Sequence, residues 1–274
     1  MNVSSLTLQQ GDPVSNPHTI YEQDGPLAFL TFNRPEARNA MTWDMYQAVV
    51  ECCDTIETDV TVKLLILRGT GGKAFVAGTD ISQFRTFTSP EAGLEYEQHL
   101  DEVIDRLESV SKPTIAQIDG VTTGGGCALA AACDLRVCTP TSRFGVPIAR
   151  TLGNCLSAAN HRRFLNLIGP ARLKDLIFTG RIVDAEEALA IGMVNRIVDA
   201  EQLDLATREL ATSITANAPL TIKATKEMIR RIQVNHHLPP NATQDLITMC
   251  YTSNDFKEGV DSFLTKRKPH WTGS

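Results

Sequence analysis

Residues 112–137 read KPTIAQIDGVTTGGGCALAAACDLRV. Thr114–Ile118 is a short apolar run that reads as a strand, and Gly126–Ala132 is an alanine-rich stretch that reads as a short helix. Leu135–Cys138 then returns to strand character. Between the first strand and the helix lie Gly124, Gly125 and Gly126. Consecutive glycines let a ligand approach the backbone with no Cβ in the way. At the start of a helix the same residues offer N–H groups that favour negative charge. A second junction of this kind lies upstream. Lys63–Arg68 (KLLILR) is too brief for a helix and reads as a buried strand, and it leads into Ala74-Phe75-Val76-Ala77-Gly78-Thr79-Asp80.

Nucleotide loops are the obvious competitors, and the spacing excludes them. A phosphate loop needs Gly-Lys followed by Ser or Thr; Gly72-Lys73 is followed by Ala74, without the upstream glycine. The glycines also miss the dinucleotide pattern GxGxxG.

Working outward, Thr19–Gln23 and Leu27–Phe32 read as two strands about Asp24-Gly25, a strong hairpin signal. Thr42 is a cap for a helix running to about Thr58, and Ser89-Pro90 opens another that continues to about Ser109. Strands and helices alternate up to about Val198. Beyond it the pattern is helical, over Glu201–Ala216, Leu220–Val234, Ala242–Tyr251 and Phe256–Thr265. This division predicts a flexible arm over 1–17, an α/β core over 18–200 and a helical subdomain over 201–274.

Bulk composition narrows the function classes. With 42% hydrophobic and 21% charged residues the chain is an ordinary globular sequence, not a disordered one. A formal net charge of -6 argues against a general nucleic-acid binder, which needs a basic face. The seven cysteines are odd in number and contain no CxxC pair, so they read as small buried hydrophobes in a reducing compartment. No Cys/His spacing suits zinc. Residues 1–17 have neither a basic nor an apolar signal region, and no run approaches the ~20 apolar residues of a membrane span. The expectation is a cytoplasmic protein.

Taken together, the landmarks resemble the crotonase (enoyl-CoA hydratase/isomerase) superfamily over roughly residues 18–272. They are Asn33-Arg34-Pro35 with Asn39-Ala40, AFVAGTDI at 74–81, the stretch at 112–137, and Phe144-Gly145. Further along come Gly180 with Ala185–Ala190, IGMVNRIV at 191–198 and FLTKRKPHWTG at 263–273. The resemblance implies a crotonase-like spiral of ββα turns with a C-terminal helical trimerisation region, usually assembled as a homotrimer or a hexamer of two trimers. It implies an acyl-CoA substrate and no separate cofactor, coenzyme A being part of the substrate. It also implies that the main-chain N–H groups of Thr79 and Gly125 form an oxyanion hole for the thioester. Expected coenzyme A contacts are Arg38, Ala40, Ala77, Ile81 and Lys268, with Arg34, Lys73, Lys266 and Arg267 as further nearby cations.

The sequence departs from that family at the chemical positions. Family hydratases use two glutamates; the matching places here are Ala128, in GGGCALA, and Ile148, in FGVPIARTLG. Neither side chain moves a proton, so the reaction is expected to differ: isomerisation, decarboxylation or thioester hydrolysis. Asp80 and Arg150 are the nearest replacements, Asp80 as an acid that more often fixes its own loop and Arg150 as a binder of a substrate carboxylate. Thr123, Asn154 and Cys155 are smaller polar candidates. Cys127 reads as packed behind its loop, His161 as a surface residue, and His236-His237 near Pro239 as part of a turn. The alternative is a catalytically silent CoA-binding or scaffolding paralogue.

Overall fold

The computed structural model describes residues 16–217, 219–234, positions 244 and 248, and 251–270. Most of the expected arm, His236-His237, Cys250, nearly all of the expected 242–251 helix and the end of the C-terminal landmark lie outside the described residues.

The chain begins with the expected hairpin. β1 (Thr19–Asp24) and β2 (Leu27–Phe32) pair antiparallel from Thr19↔Phe32 to Asp24↔Leu27. Gly25 makes the turn with φ +57°, a conformation that suits glycine. Then comes α1 (Trp43–Thr58), capped by the Thr42 hydroxyl, which accepts from Met45 N–H at 3.3 Å.

Three successive turns of the chain follow one plan. Each lays a longer strand in one sheet and a three-residue strand in a second. The pairs are β3 (Leu64–Gly69) with β4 (Ala74–Val76), β5 (Thr114–Ile118) with β6 (Val121–Thr123), and β7 (Leu135–Cys138) with β8 (Arg143–Gly145). Helices α2 (Pro90–Ser109), α3 (Gly125–Ala132) and α4 (Ile148–Thr151) close the three turns. With β9 (Val183–Asp184) and β10 (Arg196–Ile197), the sheets run β1-β2-β3-β5-β7-β10 and β4-β6-β8-β9. All pairs are parallel except β1 with β2 and β8 with β9. This is the ββα spiral that the resemblance implied.

Two local expectations change. Both glycine loops begin as strands, β4 and β6, because their first residues pair with each other, Ala74 with Val121 and Val76 with Thr122 across a register shift. Ser89 precedes α2 but provides no side-chain cap. The six cysteines among the described residues are free thiols.

After α5 (Ala158–Ile168), α6 (Pro170–Thr179) and α7 (Ala185–Ala190), the chain enters α8 (Leu203–Thr215), α9 (Pro219–Val234) and α10 (Asn254–Leu264). Leu203, Leu210 and Ala211 of α8 cover the outer face of the larger sheet, against Leu27, Phe29, Leu64, Ile66, Ile115 and Val137. Burying side chains of that size contributes about 1.5–3 kcal/mol each. α10 packs against α4: an added Cβ on Gly259 would lie 2.4 Å from the Leu152 carbonyl oxygen. Both helices therefore dock on the spiral.

Candidate active site

The loop from Ala77 to Asp80 is laced to the chain segment before α1. Ala77 N–H donates to Arg38 O (3.1 Å), Met41 N–H to Gly78 O (2.8 Å) and Asp80 N–H to Met41 O (2.9 Å). Asn39, fully buried, ties the same segment to the β3–β4 connection. Its amide donates to Thr70 O (3.0 Å) and Ala74 O (2.8 Å) and accepts from Arg34 N–H (2.8 Å). Gly78, at φ +98°, turns the chain within this lacing. Thr79 N–H is left out of it.

The second loop is held as firmly. Gly124 N–H donates to Gly145 O at 3.0 Å, and Gly124 takes φ +52°, so α3 starts at Gly125. An added Cβ on Gly126 would lie 2.1 Å from Val76 O, so only glycine lets α3 pack this closely on β4. Cys127 lies behind the loop, its thiol donating to Thr122 O at 2.9 Å, and burial pushes that thiol up to about 12. A buried neutral thiol of this kind is no nucleophile.

The two loops meet. A Cβ on Gly78 would be 3.5 Å from Thr123 O, and one on Gly125 would be 3.4 Å from Thr79 Oγ1. Gly78, Thr79, Gly124 and Gly125 all border one cavity of about 450 Å³. Among the described residues, neither Thr79 N–H nor Gly125 N–H has a hydrogen-bond partner. Both donors stand on adjoining loops that border this one cavity.

Thr79 is held from its side chain as well. Its hydroxyl lies 2.8 Å from Tyr46 Oη and 2.8 Å from Tyr96 Oη, in a buried cluster of three hydroxyls. Burial raises both phenols well above the ordinary tyrosine range, so they stay neutral O–H groups. Tyr46 stands on α1 and Tyr96 on α2, so two helices fix one loop residue. The sequence reading overlooked both tyrosines.

It also overlooked a carboxylate. Glu97 on α2 is 2% exposed and borders the cavity. It accepts from Tyr251 O–H at 2.8 Å and from Ser157 N–H at 2.9 Å. Gly93, one turn earlier, makes room for the Tyr251 ring: a Cβ there would lie 2.3 Å from it. A signal for Glu97 was present in the sequence. Gly93, Tyr96, Glu97, Leu100, Val103, Ile104 and Leu107 are the buried positions of α2, and one of that helical stripe is an acid. Asp101, one turn on, is raised to about 6 by burial, against the bond from Ser157 Oγ, but it does not border the cavity.

The expected residues separate as follows. Arg38, Ala40, Ala77 and Ile81 border the cavity, as do Thr123, Asn154, Ala128 and Ile148. Asp80 borders it too, but its carboxylate serves the loop. It accepts from Ser82 N–H (3.0 Å) and pairs with Arg34 (2.7 Å). Burial pushes that carboxyl up, and the Ser82 and Arg34 bonds together outweigh burial and hold it below the usual range. Arg150 is not among the residues bordering the cavity. It is exposed on α4 and its Cβ faces Gly180, while Ile148, Thr151 and Leu152 of the same stretch border the cavity. A single helical turn puts i, i+3 and i+4 on one side and i+2 on the other. Lys268 is exposed and is not among the residues bordering the cavity. His161 and Cys155 are likewise absent from it. No described helix is long and apolar enough to cross a membrane.

Comparison with known proteins gives one consistent result. Residues 22–274 match the family model described as enoyl-CoA hydratase/isomerase. The short-chain-enoyl-CoA hydratase of Clostridium acetobutylicum is 35% identical over 252 residues, which is 92% of this chain and 96% of that protein. The crotonyl-CoA hydratase of Syntrophomonas wolfei is 33% identical over 253 residues, 92% of this chain and 96% of that protein. Among solved structures, methylmalonyl-CoA decarboxylase complexed with 2S-carboxypropyl CoA superposes with a TM-score of 0.87 at 27% identity. That match covers 95% of this chain and 100% of the other.

Proposed function

This chain belongs to the enoyl-CoA hydratase/isomerase family, and from that premise we propose that it binds an acyl-CoA with the thioester oxygen between Thr79 N–H and Gly125 N–H. The enolate-like charge that develops on that oxygen is stabilised there. One observation carries the reading: both N–H groups are unpartnered among the described residues, on adjoining loops, at one cavity. Preorganised donors of this kind are worth about 3–4 kcal/mol each by analogy with measured oxyanion holes. The Tyr46–Thr79–Tyr96 hydroxyl cluster supplies the preorganisation for one of them.

The coenzyme A portion lies, in this reading, along Arg38, Ala40, Ala77 and Ile81. Leu220, Met228, Ile229 and Ile232 of α9 are each more than half exposed. That apolar surface supports assembly with further copies of the chain, as a trimer or a pair of trimers, and Lys268 would then serve a neighbouring copy.

The reaction is one that forms or consumes a thioester enolate. With Ala128 and Ile148 on the wall, neither position supplies an acid or a base, so fast hydration is not expected. Decarboxylation is the second reading, supported by the likeness to methylmalonyl-CoA decarboxylase; it needs little beyond the oxyanion site and a pocket unfavourable to the substrate carboxylate. The test is a titration with butyryl-CoA carrying ¹³C at the thioester carbonyl. Binding is expected to move that resonance downfield, because two donors polarise the bond. No binding, or a bound thioester with an unmoved resonance, overturns the reading.

A further inference from the structure

The cavity wall is apolar over Leu100, Ala128, Ile148 and Leu156 but carries a polar arc on one side. Its members are Glu97 and Asn154, joined through the Tyr251 hydroxyl. Tyr251 O–H donates to Glu97 (2.8 Å), and Asn154 Nδ2 lies 3.4 Å from the same hydroxyl. Asn154 Oδ1 is buried, has no hydrogen-bond partner among the described residues and belongs to a residue on the cavity wall. A buried unpartnered acceptor is unfavourable unless something else satisfies it, which points to a ligand reaching this arc.

Placing a carboxylate on the buried stripe of α2 is itself costly. A leucine would pack that stripe as its neighbours do. The other carboxylate on the wall, Asp80, forms an ion pair with Arg34, whereas the printed partners of Glu97 are a hydroxyl and a main-chain N–H. Glu97 follows directly after Tyr96, whose hydroxyl bonds Thr79. The acid and the loop donor are therefore fixed by consecutive residues of one helix.

We propose that Glu97 is the catalytic acid–base residue of this site, in place of the glutamates that Ala128 and Ile148 do not provide. The assignment rests on the thioester reading above. Glu97 carboxylate takes the proton from the carbon α to the thioester. The C–H electron pair moves into the enolate, whose oxygen carries the charge at Thr79 and Gly125. Glu97 then either trades that proton with solvent water and returns a solvent-derived one to the same carbon, which is exchange, or passes the proton it took to the γ carbon of a 3-enoyl chain. In the second case the β–γ π pair forms the new C–H bond, and the enolate electron pair closes a double bond between the α and β carbons. One carboxylate completes either cycle, and no co-reactant is consumed.

The experiment measures two things on the full chain. Butyryl-CoA affinity is followed by titration, and exchange of its α-protons in heavy water is followed by NMR; conversion of 3-hexenoyl-CoA is read in parallel. Glu97→Gln keeps the size and an acceptor oxygen for Tyr251. It is expected to bind butyryl-CoA within about threefold of the parent but to lose exchange and isomerisation by about 10²-fold or more. Should it unfold, Glu97→Asp serves instead; its carboxylate is withdrawn by one methylene, and it is expected to retain binding and lose at least tenfold in exchange. Exchange by either variant at the parent rate overturns the role of Glu97 and makes it a brace for Tyr251 and Ser157. A parent protein that binds butyryl-CoA but exchanges nothing also overturns it, while leaving the thioester site standing. A parent that binds no acyl-CoA removes both.

Discussion

Gly125→Ala is expected to reduce turnover of any acyl-CoA substrate by about 10²–10³-fold, the effect of losing one oxyanion donor. The cause is local. A Cβ at this position would lie 2.6 Å from Tyr46 Oη, so either the tyrosine or the start of α3 has to move. Tyr46 is clamped, since its hydroxyl bonds Thr79 and its ring is fully buried. The helix start therefore shifts and carries the Gly125 N–H with it. A shift of about 1 Å is enough for a loss of this size. Combining Gly125→Ala with Tyr46→Phe removes the oxygen that the new methyl meets; the next Tyr46 atom is 3.8 Å away. The double variant is expected to recover at least part of the loss, measured as kcat/KM on one substrate. No loss in Gly125→Ala, with the fold intact by circular dichroism, would contradict the placement of the oxyanion at this N–H.

The second large effect is a gain. The unmodified protein is expected to hydrate crotonyl-CoA poorly, followed by loss of the conjugated thioester absorbance. Introducing Ala128→Glu and Ile148→Glu together is expected to raise that rate by about 10²-fold or more, since positioned acid–base groups typically contribute ~10²–10⁴-fold. Both native side chains border the cavity, so the new carboxylates have space to enter it. Ala128 is also 1% exposed and Ile148 8%, so some stability is lost with the gain. Hydration by the unmodified protein near the ~10 s⁻¹ typical of enzymes would show that these two positions do not decide the chemistry.

Much of the fold was legible because its determinants are local. Gly78 and the Gly124–Gly126 triplet mark places where backbone meets backbone, and the structure uses them so: Gly126 against Val76 and Gly78 against Thr123. The hairpin at Asp24-Gly25 and the Thr42 cap were readable for the same reason. The strands β4, β6 and β8 were not, since three residues carry too little periodicity to announce pairing. The candidate site was half legible. Thr79 and Gly125 are the positions that the family resemblance implied, whereas Tyr96 and Glu97 border the cavity from α2, and Tyr46 and Tyr251 bond Thr79 and Glu97 from elements distant in sequence. Their meeting is a product of packing, and no spacing encodes it. Arg150 stands two residues after Ile148, and one helical turn places its Cβ toward Gly180 while Ile148, Thr151 and Leu152 border the cavity.

The most direct test is a crystal structure with butyryl-CoA bound. The account predicts a thioester carbonyl oxygen about 2.7–3.1 Å from both Thr79 N and Gly125 N. A thioester bound with its oxygen beyond reach of either amide, or directed to a side chain instead, contradicts it.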